Sequence, residues 1–270
     1  MSHEVPLPPS APAGPRSATP AATPRDAATV VLLRDGAAGL EAYLLRRVEG
    51  MSFAGGMTAF PGGGVDPADL DTRGPRWVGP PPDRWAGRLG ADPRLARALV
   101  CAAVRETFEE CGVLLADGAT DLSDPAWEDR RRALEERRTS LSALLAAHDL
   151  ALRADLLAPW GHWITPEPSP RRYDTRFFVA AVPAGQAPAH VSGEADAAGW
   201  TPVAEALAET AAGRLAMMPP TRVTLTELAG YRTVADVLAA APDRDIHPIT
   251  PRLVRRDGRV FAVLPGEEGY

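Results

Sequence analysis

Short apolar runs alternate with longer segments of helical periodicity along the chain. Residues 29–33 and 42–46 are β-rich runs separated by glycines, which predicts two strands joined by a turn. Residues 160–165 and 175–182 have the same character, and residues 199–201 predict a shorter strand. Because strands and helices are interleaved, we expect an α/β or α+β sandwich with a mixed sheet.

The best-defined helix of the pattern runs from residue 92 to residue 111. Asp92 can cap its first turn, the proline after it fits the first helical position, and Gly112 supplies a stop. Apolar residues at helical spacing predict a core-facing stripe on this helix. The residues of this stripe are Val100, Val104, Phe108 and Cys111.

Further elements are predicted on both sides of the last strands. Residues 125–147 have the charge density and apolar seam of a second helix. Asp257-Gly258 between two β-rich runs is a strong signal for a hairpin. The remaining predicted helices cover residues 202–212, 221–229 and 233–240, and the hairpin strands cover 252–256 and 259–264.

Composition divides the chain into a tail and one domain. Residues 1–26 are rich in Pro, Ala, Ser and Thr, which predicts disorder, and residues 27–270 form the domain. Within it, residues 66–92 are dense in Pro, Gly, Asp and Arg and read as an inserted loop, with a role as a lid or as a dimer contact. Residues 213–270 are expected to form a helical C-terminal extension.

Charge and cysteine usage limit the class of protein. The net charge of −6 disfavours general nucleic-acid binding, but a small anionic ligand can still meet arginines, which supply all 29 basic residues. Cys101 and Cys111 lie too far apart along one helix for a disulfide, and we expect them to be core thiols in a reducing compartment. With no apolar run of membrane-spanning length and no secretory signal in the pattern, a cytoplasmic location without membrane contact is expected.

Three glutamates near the end of the 92–111 helix are the strongest candidate for chemistry. Glu106, Glu109 and Glu110 lie at positions i, i+3 and i+4, so their side chains leave the helix within one arc. Like charges at this spacing repel one another, and the negative end of the helix dipole opposes them further. A bound Mg²⁺ or Mn²⁺ would explain such a cluster, because hard cations prefer carboxylate oxygens.

These residues resemble the Nudix box. The second half of that motif is present as Arg105-Glu106-Thr107-Phe108-Glu109-Glu110-Cys111-Gly112, and the first half as Phe60-Pro61-Gly62-Gly63. Asp69 stands where the family has its first glutamate, and residues 70–104 replace a seven-residue spacer. This long insertion, together with Trp163–Pro166 and the segment 172–178, is similar to the branch of the peroxisomal coenzyme A diphosphatase-like Nudix proteins and their bacterial relatives.

The resemblance implies a fold and a set of roles. The fold would be the Nudix α/β/α sandwich, with an insertion in the box and a C-terminal extension. Glu106, Glu109 and Glu110 would bind the metal with the carbonyl of Gly63, and Arg105 would orient the glutamates. The general base would be either Glu106 or Glu194, and whether Asp69 replaces the first glutamate is left open.

Substrate contacts are expected from arginines and from the glycine loop. Arg46 and Arg47 end a strand that leads towards this loop and are candidates for holding phosphates, as are Arg172 and Arg176. Phe60, which opens the loop, is a further candidate for substrate binding.

The expected activity is Mg²⁺- or Mn²⁺-dependent hydrolysis of a phosphoanhydride in a nucleotide-type substrate. Coenzyme A or an acyl-coenzyme A is the first expectation, with ADP-ribose or a dinucleotide cofactor as the enzymatic alternative. The alternative from another class is a non-catalytic nucleotide-sensing domain, which would not need all three glutamates. A homodimer is expected by resemblance.

Overall fold

The computed structural model describes residues 5–7, 22–50, 54–71, 73–117, 122–167, 169–189, 193, 195–257, 259–267 and 270. The strands are β1 (Val5–Pro6), β2 (Arg25–Gly36), β3 (Gly39–Arg47), β4 (Thr58–Ala59), β5 (Gly62–Gly64), β6 (Trp77–Val78), β7 (Leu152–Arg153), β8 (Ala158–Ile164), β9 (Tyr173–Ala181), β10 (Ala195–Pro202), β11 (Pro248–Ile249), β12 (Arg252–Arg256) and β13 (Arg259–Val263). The α-helices are α1 (Pro82–Leu89), α2 (Pro93–Cys111), α3 (Ala126–Glu135), α4 (Leu141–Ala147), α5 (Val203–Ala211), α6 (Pro219–Leu228) and α7 (Val234–Ala240).

A mixed sheet forms the centre of the molecule, with the strand order β10-β3-β2-β9-β8-β11. The pairs β2–β9 and β8–β11 are parallel, and the other neighbours in this order are antiparallel. Strand β5 pairs with the first part of β2, with Gly63 opposite Ala28, whereas β3 pairs with the last part of β2. The glycine loop is therefore fixed to the central strand of the sheet.

Both faces of the sheet are covered by helices. Successive residues of β2 point to opposite faces, so that Val30 and Leu32 join the core beneath α2 and Val31 and Leu33 join the core beneath α5–α7. All four side chains are fully buried, and each contributes about 1.5–3 kcal/mol of hydrophobic stabilisation. The α/β/α sandwich predicted from the sequence is confirmed.

Helix α2 begins and ends where the sequence predicts. The carboxylate of Asp92 accepts a hydrogen bond from the backbone N–H of Leu95 at 2.9 Å, and Gly112 ends the helix with a φ of 69°. That left-handed conformation favours glycine, which lacks the Cβ that would strain it. The predicted core stripe is buried along its length, and Cys101 and Cys111 are both free, buried thiols.

The insertion 66–92 is not the loop that its composition suggested. It contains a 3₁₀ turn at Pro67–Leu70, the short strand β6 and the helix α1. Trp85 and Leu89 lie four residues apart on α1 and are buried, and the Trp85 ring packs edge-on against Phe178 at 5.9 Å. The proline-rich composition hid this helix because its buried positions are few, namely Trp85 and Leu89.

The predicted helix 125–147 is two helices. Chain direction changes between α3 and α4, where Arg137 has a φ of 57° and Ser140 caps α4 by accepting from the N–H of Ala143. A left-handed residue cannot continue an α-helix, so the single-helix prediction fails at this position.

The N-terminal prediction of disorder over residues 1–26 fails at two places. Strand β1 pairs with β13, with Val5 opposite Ala262, and β2 begins at Arg25. Residues 1–4 and 8–21 lie outside the described residues. The extension 213–270 contains the predicted helices, and the predicted hairpin β12–β13 joins β1 in a separate three-stranded sheet.

Candidate active site

Two of the three glutamates of α2 contact the glycine loop directly. The Glu110 carboxylate accepts a hydrogen bond from the backbone N–H of Gly62 at 2.7 Å. Glu106 packs on Gly63 so closely that a Cβ added to Gly63 would stand 2.4 Å from the Glu106 Oε1. A glycine is therefore required at position 63 for the Glu106 carboxylate to keep this place.

Arg105 links the glutamates to the loop. Its Nη1 donates to Glu106 at 2.7 Å and to Glu109 at 3.1 Å, and its Nη2 donates to the backbone carbonyl of Gly64 at 2.8 Å. Arg105 and Glu109, one helical turn apart, form an ion pair. Because 10% of the Arg105 side chain is exposed, these bonds form in a largely desolvated setting.

Asp69 lies behind Arg105 rather than on the glycine loop. Its side chain is 2% exposed, and it accepts from Arg105 at 2.9 Å and from the backbone N–H of Asp66 at 2.9 Å. The 3₁₀ turn at Pro67–Leu70 places it there. At the position of the missing first glutamate, the chain therefore carries an acid that anchors Arg105.

Burial and neighbouring charges shift the pKa values of the groups in this cluster. Burial, reinforced by the neighbouring Glu106, raises the pKa of Glu109 to about 7. Burial also raises the pKa of Asp69, although Arg105 opposes that shift. Burial alone would lower the pKa of Arg105, but the adjacent Glu106 and Asp69 outweigh it and raise that pKa.

The composition of the cluster suits a hard divalent cation. The Arg105 guanidinium pairs with Asp69, Glu106 and Glu109, and Glu110 lies on the same helix, so these five groups have three excess negative charges when all are ionised. Within the described ranges, no three acidic, His or Cys side chains stand in a metal-binding arrangement. Arg105 bonds one carboxylate oxygen of Glu106 and one of Glu109. The donor chemistry of the cluster fits Mg²⁺ or Mn²⁺.

A cavity of about 650 Å³ opens beside the cluster. Of the three glutamates, Glu106 lines it, together with Gly63, Phe60 and Arg47 from the predicted site. A volume of this size is typical of small-molecule sites. Three further arginines line the same cavity, namely Arg25, Arg137 and Arg171.

Three arginines predicted to bind phosphate do not line the cavity. Arg46 forms an ion pair with Asp196 at 2.6 Å, because β10 pairs with β3 at this position. Arg172 donates to backbone carbonyls at Thr165 and Ala22. Arg176 is buried and pairs with Asp174. Each of these side chains is occupied in holding the fold.

Two further residues bear on the predicted site, namely Glu194 and Arg137. Glu194, the second candidate for the general base, lies outside the described residues. Arg137 was missed, and its Nε pairs with Asp66 at 2.9 Å on the cavity wall. A predicted helix through Arg137 gave no signal of this placement, because it depends on the break between α3 and α4.

A family model described as the NUDT19 Nudix domain matches residues 93–228, just over half of the 270 residues. The chain belongs to the Nudix hydrolase family. The matched segment of this Nudix hydrolase begins at α2 and therefore includes the three glutamates. The resemblance inferred from the split box is confirmed, and with it the assignment of the chain as an enzyme.

Relatives of this Nudix hydrolase agree with that placement. The crystal structure of a NUDIX hydrolase from Alicyclobacillus acidocaldarius is 33% identical and superimposes with a TM-score of 0.67, covering 80% of this chain and 96% of its own. The acyl-coenzyme A diphosphatase NUDT19 of Homo sapiens is 29% identical over 285 residues, spanning 87% of this chain and 73% of the human protein. The Gallus gallus protein of the same name is 28% identical over 85% of this chain and 72% of its own.

No helix in the described part of this Nudix hydrolase is long and apolar enough to cross a membrane.

Proposed function

We propose that this Nudix hydrolase is a divalent-metal-dependent diphosphatase that cleaves the phosphoanhydride of coenzyme A or an acyl-coenzyme A. The observation that carries the proposal is the position of Glu106, which is held against Gly63 on the wall of an arginine-lined cavity. Relatives named acyl-coenzyme A diphosphatase supply the substrate class. We expect the enzyme to act as a cytoplasmic homodimer.

Glu106, Glu109, Glu110 and the carbonyl of Gly63 would hold the metal. When bound, Mg²⁺ or Mn²⁺ polarises a phosphoryl oxygen and lowers the pKa of a water molecule. The excess negative charge of the cluster favours that binding, since desolvated carboxylates gain more from a cation than hydrated ones.

Side chains of the cavity would perform the remaining steps. Glu106 faces the cavity and would accept a proton from the attacking water. The water oxygen then bonds to one phosphorus, and the bond from that phosphorus to the bridging oxygen breaks. With coenzyme A the products are adenosine 3′,5′-bisphosphate and 4′-phosphopantetheine. Arg47 on the cavity wall would offset the charge of the diphosphate, and Glu194 is the alternative base.

A substrate panel tests the proposal. The purified chain is incubated with Mg²⁺ and with coenzyme A, an acyl-coenzyme A, ADP-ribose and a dinucleotide cofactor, and products are separated by chromatography. We expect release of adenosine 3′,5′-bisphosphate from the coenzyme A substrates at a higher kcat/KM than turnover of the others. Tight binding of one of these compounds without turnover of any would support the nucleotide-sensing alternative instead.

Glu110→Gln tests the role of the glutamates. Glutamine retains an oxygen that can accept from the Gly62 N–H but lacks the charge, so we expect activity to fall by about 100-fold or more with little change in melting temperature. The matched control is Glu205→Gln on α5, an exposed glutamate outside the cavity, which should leave the rate unchanged. A Glu110→Gln rate equal to wild type would remove support for metal binding here.

A further inference from the structure

One wall of the cavity is apolar. Leu7, Met57 and Met218 line it and pack together with Ala54 and Ala216 in a small hydrophobic cluster of their own. None of these side chains carries a charge or a hydrogen-bond donor. We call Leu7, Met57 and Met218 the apolar patch.

Backbone contacts tie the apolar patch together from three distant parts of the chain. The N–H of Leu7 donates to the carbonyl of Val260 at 2.9 Å, which fixes the first strand along the hairpin β12–β13. The N–H of Thr58 donates to the carbonyl of Ala216 at 2.8 Å, and Thr58 forms a parallel bridge with Met217. The patch is therefore a fixed wall made by tertiary structure.

The patch lies next to a candidate phosphate ligand. The backbone N–H of Arg47 donates to the carbonyl of Met57 at 2.9 Å, and the N–H of Gly56 donates to the carbonyl of Arg47 at 2.9 Å. Both Arg47 and Met57 line the cavity. A ligand whose diphosphate meets Arg47 would therefore place its next chemical group within reach of the patch.

That next group differs between the candidate substrates. In coenzyme A the diphosphate is followed, on the side away from adenosine, by a methylene and a carbon bearing two methyl groups. In ADP-ribose and dinucleotide cofactors it is followed by a second ribose with hydroxyl groups. An apolar wall can bury the methyl groups but leaves ribose hydroxyls without hydrogen-bond partners, which is unfavourable for each buried hydroxyl.

We infer that the apolar patch of Leu7, Met57 and Met218 is the subsite for the pantetheine arm, and that it selects coenzyme A over diphosphates with a ribose on both sides. The inference rests on the proposed function for the place of the diphosphate. Methionine and leucine side chains suit this role because they adapt to an irregular, branched apolar group. Discrimination would then depend partly on the first strand of the chain, since Leu7 directly follows it.

Binding of two fragments tests the inference without requiring turnover. Calorimetric titration of the full chain in Mg²⁺ with 4′-phosphopantetheine and with adenosine 3′,5′-bisphosphate measures the two halves of coenzyme A separately. The variants are Met218→Gln and Leu7→Ser, both at partly exposed positions. The control is Leu215→Gln. Leu215 is a partly buried apolar residue that packs on the core beneath α5–α7 and does not line the cavity.

We expect each patch variant to weaken 4′-phosphopantetheine binding roughly fivefold, which corresponds to burial of about one methyl group, and to leave binding of adenosine 3′,5′-bisphosphate unchanged. The ratio of kcat/KM for coenzyme A to that for ADP-ribose should fall by a similar factor. Equal weakening of both fragments, no weakening of either, or no wild-type binding of 4′-phosphopantetheine would overturn the inference. Binding with the expected pattern but no hydrolysis of any diphosphate would instead overturn the proposed function alone.

Discussion

Two buried arginines each pair with a cluster of acidic residues, and the two clusters differ in their excess negative charge. Arg105 on α2 pairs with Asp69, Glu106 and Glu109, and Glu110 on the same helix accepts from the Gly62 N–H, so these four carboxylates and Arg105 carry three excess negative charges. Arg176 on β9 is as deeply buried, but it faces Asp174 and Asp26, which leaves one excess charge. His162 adds a hydrogen bond to Asp174 at 2.5 Å.

The pKa of an acid is shifted in each cluster, and the direction of the shift differs between Glu109 and Asp174. Burial and Glu106 raise the pKa of Glu109 to about 7. Burial alone would raise the pKa of Asp174, but the hydrogen bond from His162 and the charge of Arg176 lower it. The other acid of the Arg176 cluster, Asp26, has its pKa raised by burial, although Arg176 opposes that shift. The two clusters therefore differ in their excess negative charge, which is larger at Arg105, where the proposed metal would compensate it.

The largest difference between the clusters is expected in activity. Glu106→Gln removes the glutamate carboxylate that lines the cavity while keeping the size of the side chain, so kcat should fall about 1,000-fold, within the range lost with a general base or metal ligand. The paired change Asp174→Asn should lower kcat less than about threefold, because the side chain serves the fold. Steady-state rates with coenzyme A and Mg²⁺ measure both, and a Glu106→Gln rate within tenfold of wild type contradicts the assignment.

Stability should separate the arginines next. Arg105→Met leaves Asp69, whose side chain is 2% exposed, beside further carboxylates without a counter-charge, and we expect a loss of about 3 kcal/mol or more. Arg176→Met should cost less, because Asp174 keeps its bond with His162. Urea unfolding in chelator measures both free energies.

Neutralising the stranded acid gives the control for that comparison. Adding Asp69→Asn to Arg105→Met should recover part of the lost stability, since it removes one buried charge. If Arg176→Met lowered the free energy of unfolding more than Arg105→Met, the excess negative charge at the glycine loop would not be the more destabilising of the two.

Metal binding is expected to stabilise the folded protein through the Arg105 cluster and not through the Arg176 cluster. Mg²⁺ at about 100 times its dissociation constant should add about 2.7 kcal/mol to the free energy of unfolding of the metal-free protein. The gain should persist in Asp174→Asn and shrink in Glu110→Gln, whose carboxylate meets the Gly62 N–H. Melting temperatures with and without Mg²⁺ measure this, and equal gains in all three proteins would place the metal elsewhere.

The glutamate cluster could be predicted from sequence because its geometry is local. Residues three and four apart on one helix share a face whatever surrounds them, and the Asp92 cap and the Gly112 stop defined that helix. The arginines could not be sorted in the same way. Neighbours such as Arg46 and Arg47 point to opposite faces of β3, and the partner that claims Arg46 is Asp196, 150 residues away.

Tertiary context also decided the elements that sequence reasoning missed. Trp85 is buried in the insertion because α1 packs against the sheet, a contact that proline-rich composition does not reveal. The apolar patch combines Leu7 and Met218, which are far apart in the sequence. Short-range periodicity carries no information on such a pairing.

The smallest expected effect is the pH dependence contributed by Asp174. Its folded pKa lies below its ordinary value of 3.8, so its stabilisation is complete above that pH and is lost as the pH falls through the folded pKa. The free energies of unfolding of wild type and Asp174→Asn should therefore differ by a constant amount above about pH 5, and by less near pH 3. We expect that change to stay below about 1 kcal/mol because the side chain is 25% exposed. Urea titrations at several pH values measure it. A gap that widens towards low pH would mean that Arg176 and His162 do not favour the ionised acid, and the contrast with the Arg105 cluster would then have no electrostatic basis.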